Sequence, residues 1–209
     1  MQEFKLYFVA DIKSNMKYPP LQLIEMAVAG GVDIVQLRYK EENIRFLLDL
    51  GQKIQPILKA KNIPLIINDR LDVAQILDAD GVHLGQEDIP PIKARQILGA
   101  NKIIGLSTHS LEQAKAAQNE PIDYLAVGPV FSTNTKKMAS PPLGTAFLTQ
   151  IAGITALPWL IIGGINSSNL ADVIAAGAKR IAVVSAISEA EDVTLAARTL
   201  KKMLENKLV

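Results

Sequence analysis

The chain of 209 residues contains no cysteine. That excludes a disulfide framework, thiolate metal sites and a cysteine nucleophile together. Aromatic residues are scarce, with five Phe, four Tyr and one Trp, so the 49% of hydrophobic residues is mainly aliphatic. An excess of either charge is also missing. Lys and Arg number 22 and Asp and Glu 21, for a net charge of +1. Without a basic surplus, nucleic acid is not an expected partner. No run approaches the roughly 18 consecutive apolar residues of a membrane span. The N-terminus, MQEFKLYF, carries an acid at Glu3 and lacks the apolar stretch and small-residue cleavage site of a signal peptide. A cytoplasmic protein with no membrane partner is expected. At 21% charged residues and this hydrophobic content, disorder is excluded as the dominant state.

What is present is a series of short aliphatic runs: LYFVAD from Leu6, IVQLR from Ile34, PLIIND from Pro64, GVHLG from Gly81, IIGLS from Ile103, YLAVGPV from Tyr124, WLIIGGI from Trp159 and RIAVVSAI from Arg180. Each is too short for a typical helix and rich in β-branched residues, as buried parallel strands are. Segments with helical period lie between them. Ser110 with Gln113 and Ser188 with Glu191 have capping-box spacing. Pro90 and Pro91 suit a first helical turn, and Gly99 and Gly177 fall where C-caps belong. Strand and helix thus alternate eight times, about one unit per 26 residues, enough for parallel crossovers and for barrel closure. The fold expected is α/β, a single (β/α)8 TIM barrel over residues 1–209. An open doubly wound sheet ranks second, because ADIKSNMK lacks the glycine-rich turn that normally follows its first strand.

A barrel carries its chemistry at the C-terminal strand ends. Strand two ends in Gln36-Leu37-Arg38-Tyr39-Lys40, and alternation places Gln36, Arg38 and Lys40 on one face. Clustered cations need an anionic partner. Strand three ends in Asn68-Asp69, and Asp88 follows strand four. Two carboxylates on neighbouring strand ends suit Mg²⁺, which completes its shell with water and substrate phosphate; both are also placed to be plain N-caps. Ser107 ends strand five and is suited to a phosphate oxygen. The longest loop, Gly128 to Gly144, offers Thr133, Thr135, Lys136 and Lys137. Gly163-Gly164 and Val184-Ser185 end strands seven and eight, the usual phosphate site of this architecture. His83 and His109 belong to no metal or triad motif and read as structural or supporting residues. The sum is two anion sites with no nucleophile–base pair. One would take a monophosphate, the other a diphosphate with Mg²⁺, and the chemistry would be displacement of diphosphate.

QLRYK, IINDRLDVA, ADGVHLGQED, IIGLSTHS, GPVFSTNTK, IIGGI and VVSAI stand in this order along nearly the whole chain. In that set the sequence resembles the thiamine-phosphate synthase family. The resemblance implies a (β/α)8 transferase that joins 4-amino-2-methyl-5-(diphosphooxymethyl)pyrimidine to a thiazole phosphate, or its carboxylated form, and releases pyrophosphate. It implies a pyrimidine-diphosphate site of Gln36, Arg38, Lys40, Asn68, Ser107 and Lys136, with Lys136, Arg38, Lys40 and Ser107 acting in catalysis. It implies Mg²⁺ on Asp69 and Asp88, and a thiazole-phosphate site of Thr133, Thr135, Gly164, Val184 and Ser185. The reaction it implies is dissociative, pyrophosphate leaving before the thiazole nitrogen attacks, which needs no general base. The partners are then small phosphorylated molecules, and a homo-oligomer is compatible. Two other readings remain. A thiazole tautomerase shares the barrel but carries His where this chain has Pro129, and a non-catalytic binding protein has no need of both acids and three cations. The departures from the family are a short loop after strand one and Lys179-Arg180 ahead of strand eight, at the far end of the barrel.

Overall fold

The structure, a computed structural model, describes residues 3–13, 16–41, 43–133 and 141–206. All eight aliphatic runs are strands: β1 (Leu6–Ile12), β2 (Ile34–Tyr39), β3 (Leu65–Asn68), β4 (Gly81–Leu84), β5 (Ile103–Thr108), β6 (Tyr124–Val127), β7 (Trp159–Ile162) and β8 (Ile181–Val183). They pair in parallel and in sequence order, and β8 closes on β1. Helices α1 (Pro20–Ala29), α2 (Ile44–Lys59), α3 (Leu71–Ile76), α4 (Pro91–Leu98), α5 (Leu111–Ala116), α6 (Ala146–Ile154) and α7 (Leu170–Ala175) occupy the successive crossovers. Two helices follow β8, a one-turn α8 (Ser185–Ser188) and α9 (Val193–Glu205). Among the described residues no helix is long and apolar enough to cross a membrane.

Alternation along each strand divides the buried residues into two bodies. Leu6, Phe8, Ala10, Leu37, Ile67 and Val82 face outward into the layer shared with the helices. Phe4, Tyr7, Val9, Ile34, Ile66, Tyr124, Ala126, Leu160 and Ala182 fill the barrel interior. The interior carries the largest fully buried side chains, Tyr7, Tyr124 and Phe4, low down and small residues such as Ala126 and Ala182 toward the C-terminal mouth, so a hollow opens there.

Local signals mostly act as expected. The Ser110 side chain accepts from Gln113 N and starts α5. Pro90 is the N-cap of α4 and Gly99 its C-cap, at φ 82°. One expectation is corrected. Ser188 caps nothing, because it is the last residue of α8; Asp192 accepts from Leu195 N and starts α9. The helix after β7 starts at Leu170, since Asn166 and Asn169 hold residues near Ser167 in a side-chain-bonded turn. Arg180 lies at the bottom of the barrel, its guanidinium 5.5 Å from the Phe4 ring centre.

A carboxylate precedes each of β2, β4 and β6 and closes the bottom edge of the strand before it. Asp33 accepts from Lys5 N and Leu6 N, Asp80 from Leu65 N and Asp123 from Ile104 N, all at 2.8–2.9 Å. These acids fix register at the end opposite the mouth. Asp123 also receives Arg95 Nη2 at 2.7 Å. Asp123→Ala therefore leaves two donors without their acceptor, and we expect a loss of about 1–3 kcal/mol in urea unfolding. A loss within error of zero would show that the strand ends hold register without it.

Candidate active site

The C-terminal strand ends surround a cleft of about 940 Å³ measured out to its open mouth. Eight of the site residues that the resemblance implies line it: Gln36, Arg38, Asn68, Ser107, Thr133, Gly164, Val184 and Ser185. Registry explains the convergence. Asn68 stands beside His83, His83 beside Gly105, and Ser107 beside Ala126, so polar strand ends rise side by side from β2 to β5. The opposite wall, from β6 to β8, is apolar lower down in Ala126, Leu160, Ile162 and Ala182. It ends in backbone turns. Gly163 and Gly164 have φ of 105° and 66°, and a Cβ on Gly164 would lie 2.5 Å from Ser132 O. Only glycine fits that turn. Above it, Val184 and Ser185 begin the extra turn α8.

The floor of the cleft is polar. Gln36 Nε2 donates to Asn68 Oδ1 at 2.6 Å, and Tyr7 OH donates to Gln36 Oε1 at 2.9 Å. Tyr7 OH meets Tyr124 OH at 2.9 Å, Tyr124 OH meets His83 Nδ1 at 2.9 Å, and His83 Nε2 meets Ser107 Oγ at 2.9 Å. Burial holds both phenols well above the ordinary tyrosine range, Tyr7 being raised also by Tyr124. Sequence reasoning missed Tyr7 and Tyr124. It placed His83 as a supporting residue, and the ring does connect Tyr124 to Ser107 inside the barrel. His109 also lines the cleft, its Nδ1 against Gly128 O at 2.6 Å.

The charged groups are paired. Arg38 bonds the buried Asp11 of β1, which also faces Lys13 Nζ at 3.2 Å. Asp11 was not among the residues expected from sequence; its place at the end of LYFVAD, one strand from Arg38, was the available signal. Lys40 does not line the cleft. It bonds Asp69 at the rim. Asp69 in turn lies within hydrogen-bonding reach of Asp88, whose Oδ2 accepts from Gly85 N at 2.6 Å. Burial opposes ionisation of Asp69, but Lys40 and Asp88 together hold its carboxyl below the usual range. Asp88 is pushed up, first by burial and then by Asp69. Neither acid is an N-cap: Arg70 and Pro90 occupy those positions. Asp69 has φ 59°, a left-handed conformation that a short polar residue tolerates at some cost in strain. Thr135, Lys136 and Lys137 lie outside the described residues.

Comparison with known proteins agrees with this geometry. Residues 6–187 match the family described as thiamine monophosphate synthase. The chain is 42% identical to a thiamine-phosphate synthase of Halalkalibacterium halodurans, over 99% of this chain and 98% of that one. It is 45% identical to a thiamine-phosphate synthase of Azorhizobium caulinodans, over 97% and 96%. A solved thiamine phosphate pyrophosphorylase from Pyrococcus furiosus superposes with a TM-score of 0.89 at 36% identity, over 99% and 98% of the two chains.

One glycine makes the floor possible. A Cβ on Gly105 would stand 2.1 Å from Tyr124 Cζ, inside the ring. Gly105→Ala therefore displaces Tyr124 and should cost about 1–3 kcal/mol by overpacking. Gly153→Ala is the control, because a Cβ there meets nothing within 4 Å. We expect thermal unfolding to separate the two variants clearly; equal melting temperatures would mean that the Tyr124 ring has room to move.

Proposed function

The chain belongs to the thiamine monophosphate synthase family, and we propose that it joins 4-amino-2-methyl-5-(diphosphooxymethyl)pyrimidine to a thiazole phosphate, forming thiamine phosphate and pyrophosphate. The observation that supports this reading best is the two-sided cleft. A polar wall with Arg38 faces a glycine-turn wall that ends in Ser185. The two sides suit two phosphorylated molecules bound at once, their reactive carbon and nitrogen meeting over the floor.

On this reading Arg38, Lys40, Asn68 and Ser107 hold the diphosphate half together with Gln36. Thr133, Thr135, Gly164, Val184 and Ser185 hold the thiazole phosphate. Asp69 and Asp88 fit a divalent cation by the chemistry of their donors. They are two hard oxygen ligands close enough to hydrogen-bond each other. Among the described residues no group of three or more His, Cys, Asp or Glu could hold a metal ion, so the rest of the shell falls to water and phosphate oxygens. That sharing is characteristic of Mg²⁺. When bound, Mg²⁺ supplies charge that steadies the diphosphate.

The chain's own residues do the rest. The C–O bond to the diphosphate breaks with its electron pair leaving on oxygen, and the thiazole nitrogen donates its pair to the carbon. No proton moves in that exchange, so no general base is required. Arg38, already oriented by Asp11, faces the departing charge without reorganising. The apolar lower wall keeps water from the carbon.

Incubation of both phosphorylated halves with Mg²⁺ tests the reading: thiamine phosphate and pyrophosphate should appear in equal amounts, and neither appearing would refute it. Asp69→Ala and Asp88→Ala should each lower turnover by at least about a hundredfold while leaving the melting temperature near that of the parent. Activity that survives saturating chelator would remove the metal from the scheme. Lys136→Ala should lower kcat at least about tenfold with the thiazole-phosphate KM little changed, since a cation on the leaving group acts mainly in the transition state. Lys137→Ala is the comparison, and equal small effects in both would exclude Lys136 from the reaction.

A further inference from the structure

The floor contacts form a single file from β5 to β3: Ser107, His83, Tyr124, Tyr7, Gln36, Asn68. Each phenol carries one proton, so the two fixed contacts determine the others. Gln36 donates to Asn68 and accepts from Tyr7. The only proton of Tyr7 is thereby engaged, and the proton between the tyrosines belongs to Tyr124. The oxygen of Tyr124 must then accept from His83, whose proton sits on Nδ1. A ring whose single proton is on Nδ1 has a lone pair on Nε2. Ser107 therefore gives its hydroxyl proton to His83. All five hydrogens point the same way.

We infer that this one-way chain sets the hydrogen-bonding sense of the cleft, and that Tyr7 is the positioning residue that makes the site select an amino-heterocycle over its oxo counterpart. At one end Ser107 offers lone pairs and takes a donor. At the other Asn68, its oxygen engaged by Gln36, offers N–H and takes an acceptor. An aminopyrimidine edge presents an N–H₂ donor beside a ring nitrogen acceptor. An oxopyrimidine presents the reverse, a carbonyl acceptor beside a ring N–H. Against a chain of fixed sense the oxo edge sets lone pair against lone pair and proton against proton. Buried polar groups left unpaired in this way are what give hydrogen-bonding sites their large discrimination. Tyr7 is buried at 1% exposure, between the tyrosine-histidine half of the file and the amide half. Removing its hydroxyl frees the Tyr124 proton to turn toward His83 Nδ1. The imidazole proton can then move to Nε2, and Ser107 becomes a donor to the cleft.

The polarity rests on the contacts and on a singly protonated His83, whereas the selection of an amino edge rests on the reaction proposed above. The experiment keeps the two apart. The chain has only two histidines, so nitrogen-15 NMR of histidine-labelled protein resolves both rings, with His83→Gln assigning them. His83 should appear as the neutral Nδ1–H tautomer in the parent, and should lose that single form in Tyr7→Phe. A parent His83 in the Nε2–H form, a doubly protonated ring, or a tautomer unchanged by Tyr7→Phe each overturns the inference. In turnover, the parent should favour the 4-amino over the 4-oxo pyrimidine diphosphate by at least about 100-fold in kcat/KM, and Tyr7→Phe should shrink that ratio at least about tenfold. A loss of activity in Tyr7→Phe with the ratio preserved would reduce Tyr7 to a structural role. Tyr124→Phe, which cuts the file one step away, should shrink the ratio as well if Tyr7→Phe fails to fold. A parent that turns over neither pyrimidine refutes the proposed reaction and with it the selection, while the tautomer still decides the polarity.

Discussion

A contact between two phenol oxygens at the centre of the barrel, Tyr7 against Tyr124 at 2.9 Å, decides what the interior can be. Eight parallel strands enclose a space that side chains have to fill. Aliphatic residues alone would seal it into a dry plug without a site. Here two rings from β1 and β6, tilted and 5.9 Å apart, fill the middle with carbon and end in hydroxyls. Phe4 packs edge-on beneath both. Once those hydroxyls are buried, each must find a partner or cost the barrel free energy. Gln36 and His83 are the partners, held in turn by Asn68 and Ser107, and all four line the cleft. The same hydrogen bonds that make the core stable make its upper surface polar. Gly105 belongs to this arrangement, because any side chain there would occupy the Tyr124 ring.

The charges at the mouth follow a second economy. Cations set at the top of a low-dielectric barrel are unfavourable unless compensated. Arg38 is compensated by Asp11 and Lys40 by Asp69. Each pair joins adjacent strands, β1 to β2 and β2 to the end of β3, so the cations are aimed by the sheet rather than by flexible loops. An arriving anion then meets donors that are already oriented. Asp69 and Asp88 lie against each other next to Lys40. In the proposed reaction a divalent cation would answer the excess of negative charge that Lys40 offsets in the free protein.

The strands were legible because buried parallel strands are continuous aliphatic runs, and eight such runs at even spacing leave few architectures. The face shared by Gln36 and Arg38 was legible because alternation follows from strand geometry. Other features depend on registry, which a linear pattern does not carry. Tyr7 and Tyr124 sit inside LYFVAD and YLAVGPV as ordinary strand residues; only the pairing of β1 with β2 and of β5 with β6 sets them under the cleft. His83 reads as a lone histidine until β4 is placed between Asn68 and Gly105. Asp11 reads as a strand end until it meets Arg38 in the register of β1 with β2. The capping spacing of Ser188 and Glu191 misled because the chain after β8 makes one extra helical turn, too short to show a period.

The His83 imidazole suits the proposed chemistry, in which no proton passes to or from the substrate. In a hydrolase or an isomerase a histidine in such a cleft would keep one nitrogen for a proton of the substrate. His83 has both nitrogens engaged, one on Tyr124 and one on Ser107. His109 turns Nδ1 onto the Gly128 carbonyl and so braces the start of the long loop after β6. In the proposed reaction only electron pairs change place, one leaving with the diphosphate oxygen and one arriving from nitrogen. What such a reaction needs is charge for the departing group, a dry wall for the exposed carbon and a fixed orientation of the ring that carries it. On that proposal Arg38, with a divalent cation held by the paired acids, would supply the first, Leu160, Ile162 and Ala182 the second, and the hydrogen-bonded floor the third. A floor histidine free to exchange protons would loosen the floor and add nothing to that bond change, and the His83 ring serves as part of the frame.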